Sequence, residues 1–172
     1  HSTILVILIA YLPWSKLMHI FTAPLNIFFR DLEHPGTLVN LDLETSEEFG
    51  ITKITDFTWK HLLDLDACTR CGRCQEACPA YASGKPLSPK KVVQDLKAHL
   101  TAHGPQWLSG QAPREDGVPL LGGGAVSYDE VWSCTACGNC HQQCPVFIQP
   151  MGKIMELRRH LALVQGKLDS TA

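Results

Sequence analysis

Cys68-Thr69-Arg70-Cys71-Gly72-Arg73-Cys74-Gln75-Glu76-Ala77-Cys78-Pro79 spaces four cysteines x2, x2, x3 and closes on proline. The same spacing returns in Cys134-Thr135-Ala136-Cys137-Gly138-Asn139-Cys140-His141-Gln142-Gln143-Cys144-Pro145, and all 8 cysteines of the chain fall in these two runs. Disulfide scaffolds spread their cysteines to tie distant loops together, so this clustering points to metal instead. Cysteines at i, i+3 and i+6 can offer thiolates to three corners of an iron–sulfur cube while the loop's N–H groups stay free to face sulfur. Beyond the third cysteine the chain has turned away, and the fourth thiolate must come from elsewhere.

In two-cluster folds with this spacing the fourth ligand comes from the other run. The sequence therefore predicts one cluster held by Cys68, Cys71, Cys74 and Cys144, and another held by Cys134, Cys137, Cys140 and Cys78. Every ligand position is filled, so both are expected to be [4Fe-4S]. Structural zinc, the competing use of soft thiolates, usually pairs two well-separated Cys-x2-Cys knuckles. Pro79 and Pro145 start the next turn without a donor that would compete for cluster sulfur. Arg70 and Arg73 lie inside the first ligand loop, where positive charge favours the reduced cluster. They read equally well as solvated arginines.

The remainder of the 172 residues sets the frame around these runs. With 45% hydrophobic residues, 19% charged residues and a net charge of −2, the chain is neither disordered nor a basic nucleic-acid binder. Residues 55–165 read as a mainly helical domain. Asp56-Phe57-Thr58-Trp59-Lys60-His61-Leu62-Leu63 looks like a capped helix leading to the first run. Ser88-Pro89-Lys90-Lys91 opens another helix, with Val92, Val93, Leu96 and Leu100 as its apolar stripe and a stop near His103-Gly104-Pro105. Ser127 to Trp132 begins a short helix into the second run. Gly152 to Val164 is amphipathic through Ile154, Leu157, Leu161 and Val164. Gly122-Gly123-Gly124 lacks the preceding strand and following Gly-Lys-Ser/Thr of a phosphate loop. No serine–histidine–acid set or paired carboxylate motif marks a substrate site, so no catalytic residue is assigned.

The ends differ from the middle. The chain starts at His1 within an apolar run, Ser2-Thr3-Ile4-Leu5-Val6-Ile7-Leu8-Ile9-Ala10-Tyr11-Leu12, and apolar character resumes from Leu17 to Phe29. Residues 1–30 read as the end of a transmembrane helix, which in full needs about 20 apolar residues. The alternative is a buried helix packed against protein. Residues 31–54 form an acidic linker around His34-Pro35-Gly36, and 166–172 a tail. His1 and His19 lie eighteen residues apart, about five turns or roughly 27 Å along one helix face. That spacing suits one haem b ligand on each side of a bilayer. The remaining histidines, His34, His61, His99, His103, His141 and His160, read as surface residues.

Two resemblances follow from these residues. Leu12-Pro13-Trp14-Ser15-Lys16-Leu17-Met18-His19-Ile20-Phe21, with Pro24, resembles the end of the last membrane helix of the nitrate reductase gamma subunit family. That helix carries two haem b ligands, and the resemblance puts them at His19 and His1. Trp132-Ser133-Cys134-Thr135-x2-Gly138-x-Cys140, running into Cys144-Pro145-Val146-x-Ile148 and Arg158-Arg159, resembles the iron–sulfur subunits related to heterodisulfide reductase. The combination is similar to the membrane-bound electron-transfer flavoprotein:quinone oxidoreductases of prokaryotes. Those proteins normally continue into domains with a Cys-Cys-Gly pattern, which this sequence lacks, so the chain reads as an excerpt or depends on other subunits.

The expected fold is an α-helical ferredoxin-like two-cluster domain with an N-terminal membrane-helix segment. The resemblance implies an electron relay on the cytoplasmic face of a prokaryotic inner membrane. Its partners would be membrane subunits or further membrane helices, an electron-transfer flavoprotein or other cytoplasmic redox protein, haem b and the quinone pool. Nucleic acid is not among them. A soluble heterodisulfide reductase-like subunit is the alternative, and a structural zinc module is a third reading from a different class.

Overall fold

A short capped helix leads into each cysteine run and a longer one follows it, and this repeated order builds the molecule. The computed structural model describes residues 2–11, 16–32, 37, 49–108 and 120–168. His1, most of the acidic linker and the end of the tail lie outside the described residues. Helix α3 (Trp59–Ala67) starts where the Thr58 hydroxyl accepts the His61 N–H at 3.2 Å, and it ends directly on Cys68. Helix α7 (Tyr128–Trp132) starts at Ser127, which forms a reciprocal capping box with Glu130, and leads through Ser133 to Cys134. Each cap satisfies backbone donors that a helix start leaves open.

Inside the runs, α4 (Arg73–Glu76) and α8 (Asn139–Gln142) are single turns, and α5 (Pro79–Ala82) follows the first run. Both turns open from a left-handed glycine, Gly72 at φ 89° and Gly138 at φ 75°. The later helices are α6 (Pro89–Leu108) and α9 (Pro150–Leu163). Ser88 caps α6 by accepting the Lys91 N–H at 3.2 Å, and its hydroxyl donates to Gln75 at 2.7 Å, tying the helix start to the first run.

The core lies where α6, α9, α3 and α7 meet. Val92, Val93 and Leu96 of α6 pack with Ile154, Leu157 and Leu161 of α9, Leu65 of α3 and Val131 of α7, all buried. Each such side chain contributes on the order of 1.5–3 kcal/mol by leaving water. Among the described residues there is no strand, only an isolated bridge between Leu121 and Val126. The mainly helical expectation therefore holds. One boundary and one buried stripe differ from the sequence reading. Helix α6 runs past Gly104 and Pro105 to Leu108, with the proline near its end, where one lost backbone bond disturbs few later turns. On α9, Val164 is exposed while Lys153 is buried, so the inward stripe is not purely apolar.

The amino-terminal segment forms two separate helices, α1 (Ser2–Tyr11) and α2 (His19–Phe28), the second entered by a 3₁₀ turn at Lys16–Met18. Ten residues of α-helix span about 15 Å, half the hydrocarbon thickness of a bilayer. Among the described residues, no helix is long and apolar enough to cross a membrane. The membrane-segment expectation finds no full span to support it there. Instead, α2 packs on α3 through its small and polar side, Thr22, Ala23 and Asn26. Its apolar side chains Ile20, Phe21, Leu25 and Phe28 face outward, as do Ile4, Leu5, Val6 and Ile7 of α1.

Candidate metal centres

The two runs fold side by side, with α4 against α8, and enclose two concave spaces. The first is lined by Cys68, Cys71, Cys74 and Cys144, with Arg70, Lys90, Val93, Val146 and Ile148 around them. The second is lined by Cys78, Cys134, Cys137 and Cys140, among Leu87, Pro89, Met151 and Ile154. Each space therefore brings three thiols of one run together with the last thiol of the other. Cys71 and Cys137 are exposed, while Cys78 and Cys140 are buried.

Local backbone geometry aims donors at these sulfurs. Arg70 and Ala136 occupy equivalent places in the two loops and both adopt the left-handed region, at φ 57° and 54°. Their N–H groups bond to Cys68 and Cys134. Ile148 donates its N–H to the Cys144 sulfur at 3.3 Å after the chain passes Phe147 at φ 56°, and Val146 donates to the same sulfur. Met151 donates to Cys140. Sulfur that accepts several backbone donors is prepared to carry negative charge.

Burial, and then the neighbouring thiols, push these groups up. Cys74 rises to about 11 through burial and then through Cys68, Cys144 and Cys71. Cys140 rises to about 12 through burial and then through Cys134, Cys74 and Cys137. Thiols that oppose one another's ionisation in this way are suited to a shared cationic guest, which deprotonates its ligands. Among the described residues, no three His, Cys, Asp or Glu side chains gather tightly enough for a single metal ion. Four thiols spread around a concave space fit a polynuclear cluster better than a point ion.

A buried polar network underlies the first space. Asp64 of α3 meets Lys153 of α9 at 2.5 Å and Lys60 at 2.6 Å, and accepts the Gln149 N–H at 3.2 Å. Lys60 also donates to Asn26 of α2 at 2.8 Å, and Asn26 donates to the Val146 carbonyl at 2.8 Å. Asn26, Asp64 and Lys153 are all fully buried. Burial would raise the Asp64 carboxyl, but Lys153 and Lys60 hold it at about 2. Burial also pulls Lys153 downward, and Asp64 opposes that pull. Beside the network, burial and then the Lys153 charge lower His61 to about 4, and its Nδ1 is buried with no hydrogen-bond partner. The sequence reading had placed His61 on the surface. Polar residues on an otherwise apolar stripe give no signal of a partner on a helix distant in the chain; only the i, i+4 spacing of Lys60 and Asp64 hints at it.

On the other side, Arg158 of α9 donates to the carbonyls of Val131, Trp132 and Cys134, at 2.6, 3.3 and 2.6 Å, and stacks over the Trp132 ring. This holds the end of α7 and the start of the second loop. The histidine expectations fare differently. His19 stands at the start of α2 beside an open cleft that also exposes Cys68, Arg70 and Lys97. His1, and with it the pairing of the two histidines, lies outside the described residues.

Residues 64–148, which hold all eight cysteines and both four-thiol spaces, match the 4Fe-4S dicluster domain family. Over its whole length the chain is 42% identical, across 190 aligned residues, to the EtfAB:quinone oxidoreductase of Syntrophomonas wolfei, covering 27% of that protein. It is 38% identical over its whole length to the probable iron-sulfur-binding oxidoreductase FadF of Bacillus subtilis, covering 29% of it. A probable membrane-anchored ferredoxin of Chromohalobacter salexigens is 37% identical over 73% of the chain, which covers 21% of that relative. The chain thus spans under a third of each of these three relatives. No solved structure matches it.

Proposed function

We propose that this chain is the electron-transfer module of an oxidoreductase, with one [4Fe-4S] cluster on Cys68, Cys71, Cys74 and Cys144 and another on Cys134, Cys137, Cys140 and Cys78. The observation that carries the reading is the mixing of thiols from both runs around each space. Bound clusters would supply one-electron redox chemistry. The chain's own work is to hold them with thiolates, to donate N–H groups to sulfur from Arg70, Ala136, Val146 and Ile148, and to keep solvent from the buried side with Val93, Met151 and Ile154. Exchanged ligands keep the two sites adjacent, which is what a relay requires.

The partners in this proposal are a flavoprotein on one side and the membrane, with quinone or haem b, on the other. Relatives named as a quinone oxidoreductase and as a membrane-anchored ferredoxin support it. The outward apolar side of α2 adds to that support, because the same helix grips the Val146 carbonyl beside the first space. Membrane attachment in this reading belongs to the cytoplasmic face. The test is the full-length protein purified anaerobically from detergent-extracted membranes. Eight irons and eight acid-labile sulfides per chain, with two interacting S = 1/2 signals on reduction, are expected for two [4Fe-4S] clusters. Zinc without sulfide would overturn the proposal.

A further inference from the structure

The two cysteine loops share a backbone but not an electrostatic setting. The first space has Arg70 and Lys90 in its lining, whereas the residues lining the second carry no cationic side chain. Beneath the first lies the triad of Lys60, Asp64 and Lys153, two ammonium groups on one carboxylate, and the field of Lys153 reaches the Cys144 sulfur. Lys97 faces Cys68 but is paired with Asp66 at 2.7 Å. The second space has one cation, Arg158, whose charge reaches Cys134 while its N–H groups serve three carbonyls, so each space feels a cation from α9 and the first has Arg70 and Lys90 in addition. Donors add to the difference, since Cys144 alone accepts from both Val146 and Ile148. Access to solvent does too, because two thiols of the second space are buried and none of the first is.

Reduction adds negative charge to a cluster. Nearby cations, N–H donors to sulfur and solvent access all stabilise that charge and raise the potential. Here all three point the same way. We infer that Lys153, with Arg70 and Lys90, makes the first site the more easily reduced of the two, so that an electron on the module rests on the side of α2 and passes from the second site to the first downhill. This rests on the proposed occupation of both sites by clusters. Lys153 acts through its fixed charge from behind Cys144, and it is a positioning and tuning residue that touches no reacting atom.

The experiment is a redox titration of the full-length protein followed by EPR, with Cys71→Ser used to assign which signal belongs to the first site. The first-site signal should appear first as the potential falls. Lys153→Met should reduce the electron's preference for the first site at least tenfold, about 59 mV for a one-electron couple. Arg70→Ala should produce a smaller shift of the same sign. That exposed substitution copies Ala136, which holds the same left-handed backbone in the second loop, so it decides the matter should Lys153→Met fail to fold. A second-site signal appearing first, or Arg70→Ala leaving the spacing of the two midpoints unchanged, would overturn the inference. Absence of iron and sulfide in the unaltered protein would instead end the functional proposal beneath it.

Discussion

The two halves of the molecule solve the same geometric problem with different supports. Each sends a capped helix into a Cys-x2-Cys-x2-Cys loop, turns on a left-handed residue and then a left-handed glycine, and hands its last cysteine to the other half. Behind the second loop stands Arg158, whose guanidinium gathers three carbonyls. Behind the first stands a buried ionic triad that also holds α2. The loop geometry is thus general, while the support is specific to each site. Through Lys60 and the Val146 carbonyl, α2 is tied to the support of the first space.

The exchange of last cysteines gives the largest expected effect. Cys144→Ser should strip or convert the cluster of the first space and leave the one beside Cys134, Cys137 and Cys140 in place, so that roughly half of the iron is lost. Cys78→Ser should do the converse. Iron and sulfide content with Mössbauer spectra distinguishes the outcomes. If Cys144→Ser instead damages the second space, the two halves are self-contained and the crossing is wrong.

The loops were legible from sequence because their chemistry is local. Cysteine spacing, Gly72 and Gly138, and the caps at Ser88 and Ser127 act within a turn or two of chain. The supports were not legible, because they join residues far apart in the chain. Nothing in Lys153 marks it as buried until Asp64, eighty-nine residues away, is folded against it. The amino-terminal segment shows a different limit. Its composition suits lipid, yet the short polar face of Thr22, Ala23 and Asn26 finds protein, and periodicity alone does not say which neighbour an amphipathic helix chooses.

Each lead-in helix carries one buried acid, Asp64 on α3 and Glu130 on α7, and these two sharpen the comparison. Removing one partner of a buried ion pair costs about 3–5 kcal/mol, because the remaining charge is left without compensation. Asp64→Ala is therefore expected to destabilise the protein by that amount, since Lys153 has no water to turn to. Glu130 pairs with Lys91, whose side chain is 57% exposed, and caps α7 together with Ser127. Glu130→Ala should cost only about 1 kcal/mol, mostly the cap. Anaerobic urea unfolding of the two variants measures the difference. Equal losses would mean that the triad is no more than a surface-like pair and that the two halves are supported alike.

The smallest expected effect concerns acid, and it centres on the first lead-in helix. His61 on α3 is held neutral in the folded chain, with burial as the leading cause, at about 4 against an ordinary 6.5. A base whose folded value is depressed binds fewer protons folded than unfolded. Its contribution is complete above about 6.5 and is lost as the pH falls from there toward about 4. Between pH 7 and pH 5 that loss amounts to about 2 kcal/mol. Asp64, lowered to about 2, adds nothing in this interval, because its contribution is lost only as the pH falls below the ordinary carboxylate range. His61→Leu removes the titrating group and its unpartnered Nδ1, so its stability should fall about 2 kcal/mol less than that of the unaltered protein over the same two pH values. Parallel losses in the two proteins would show that some other group senses the acid.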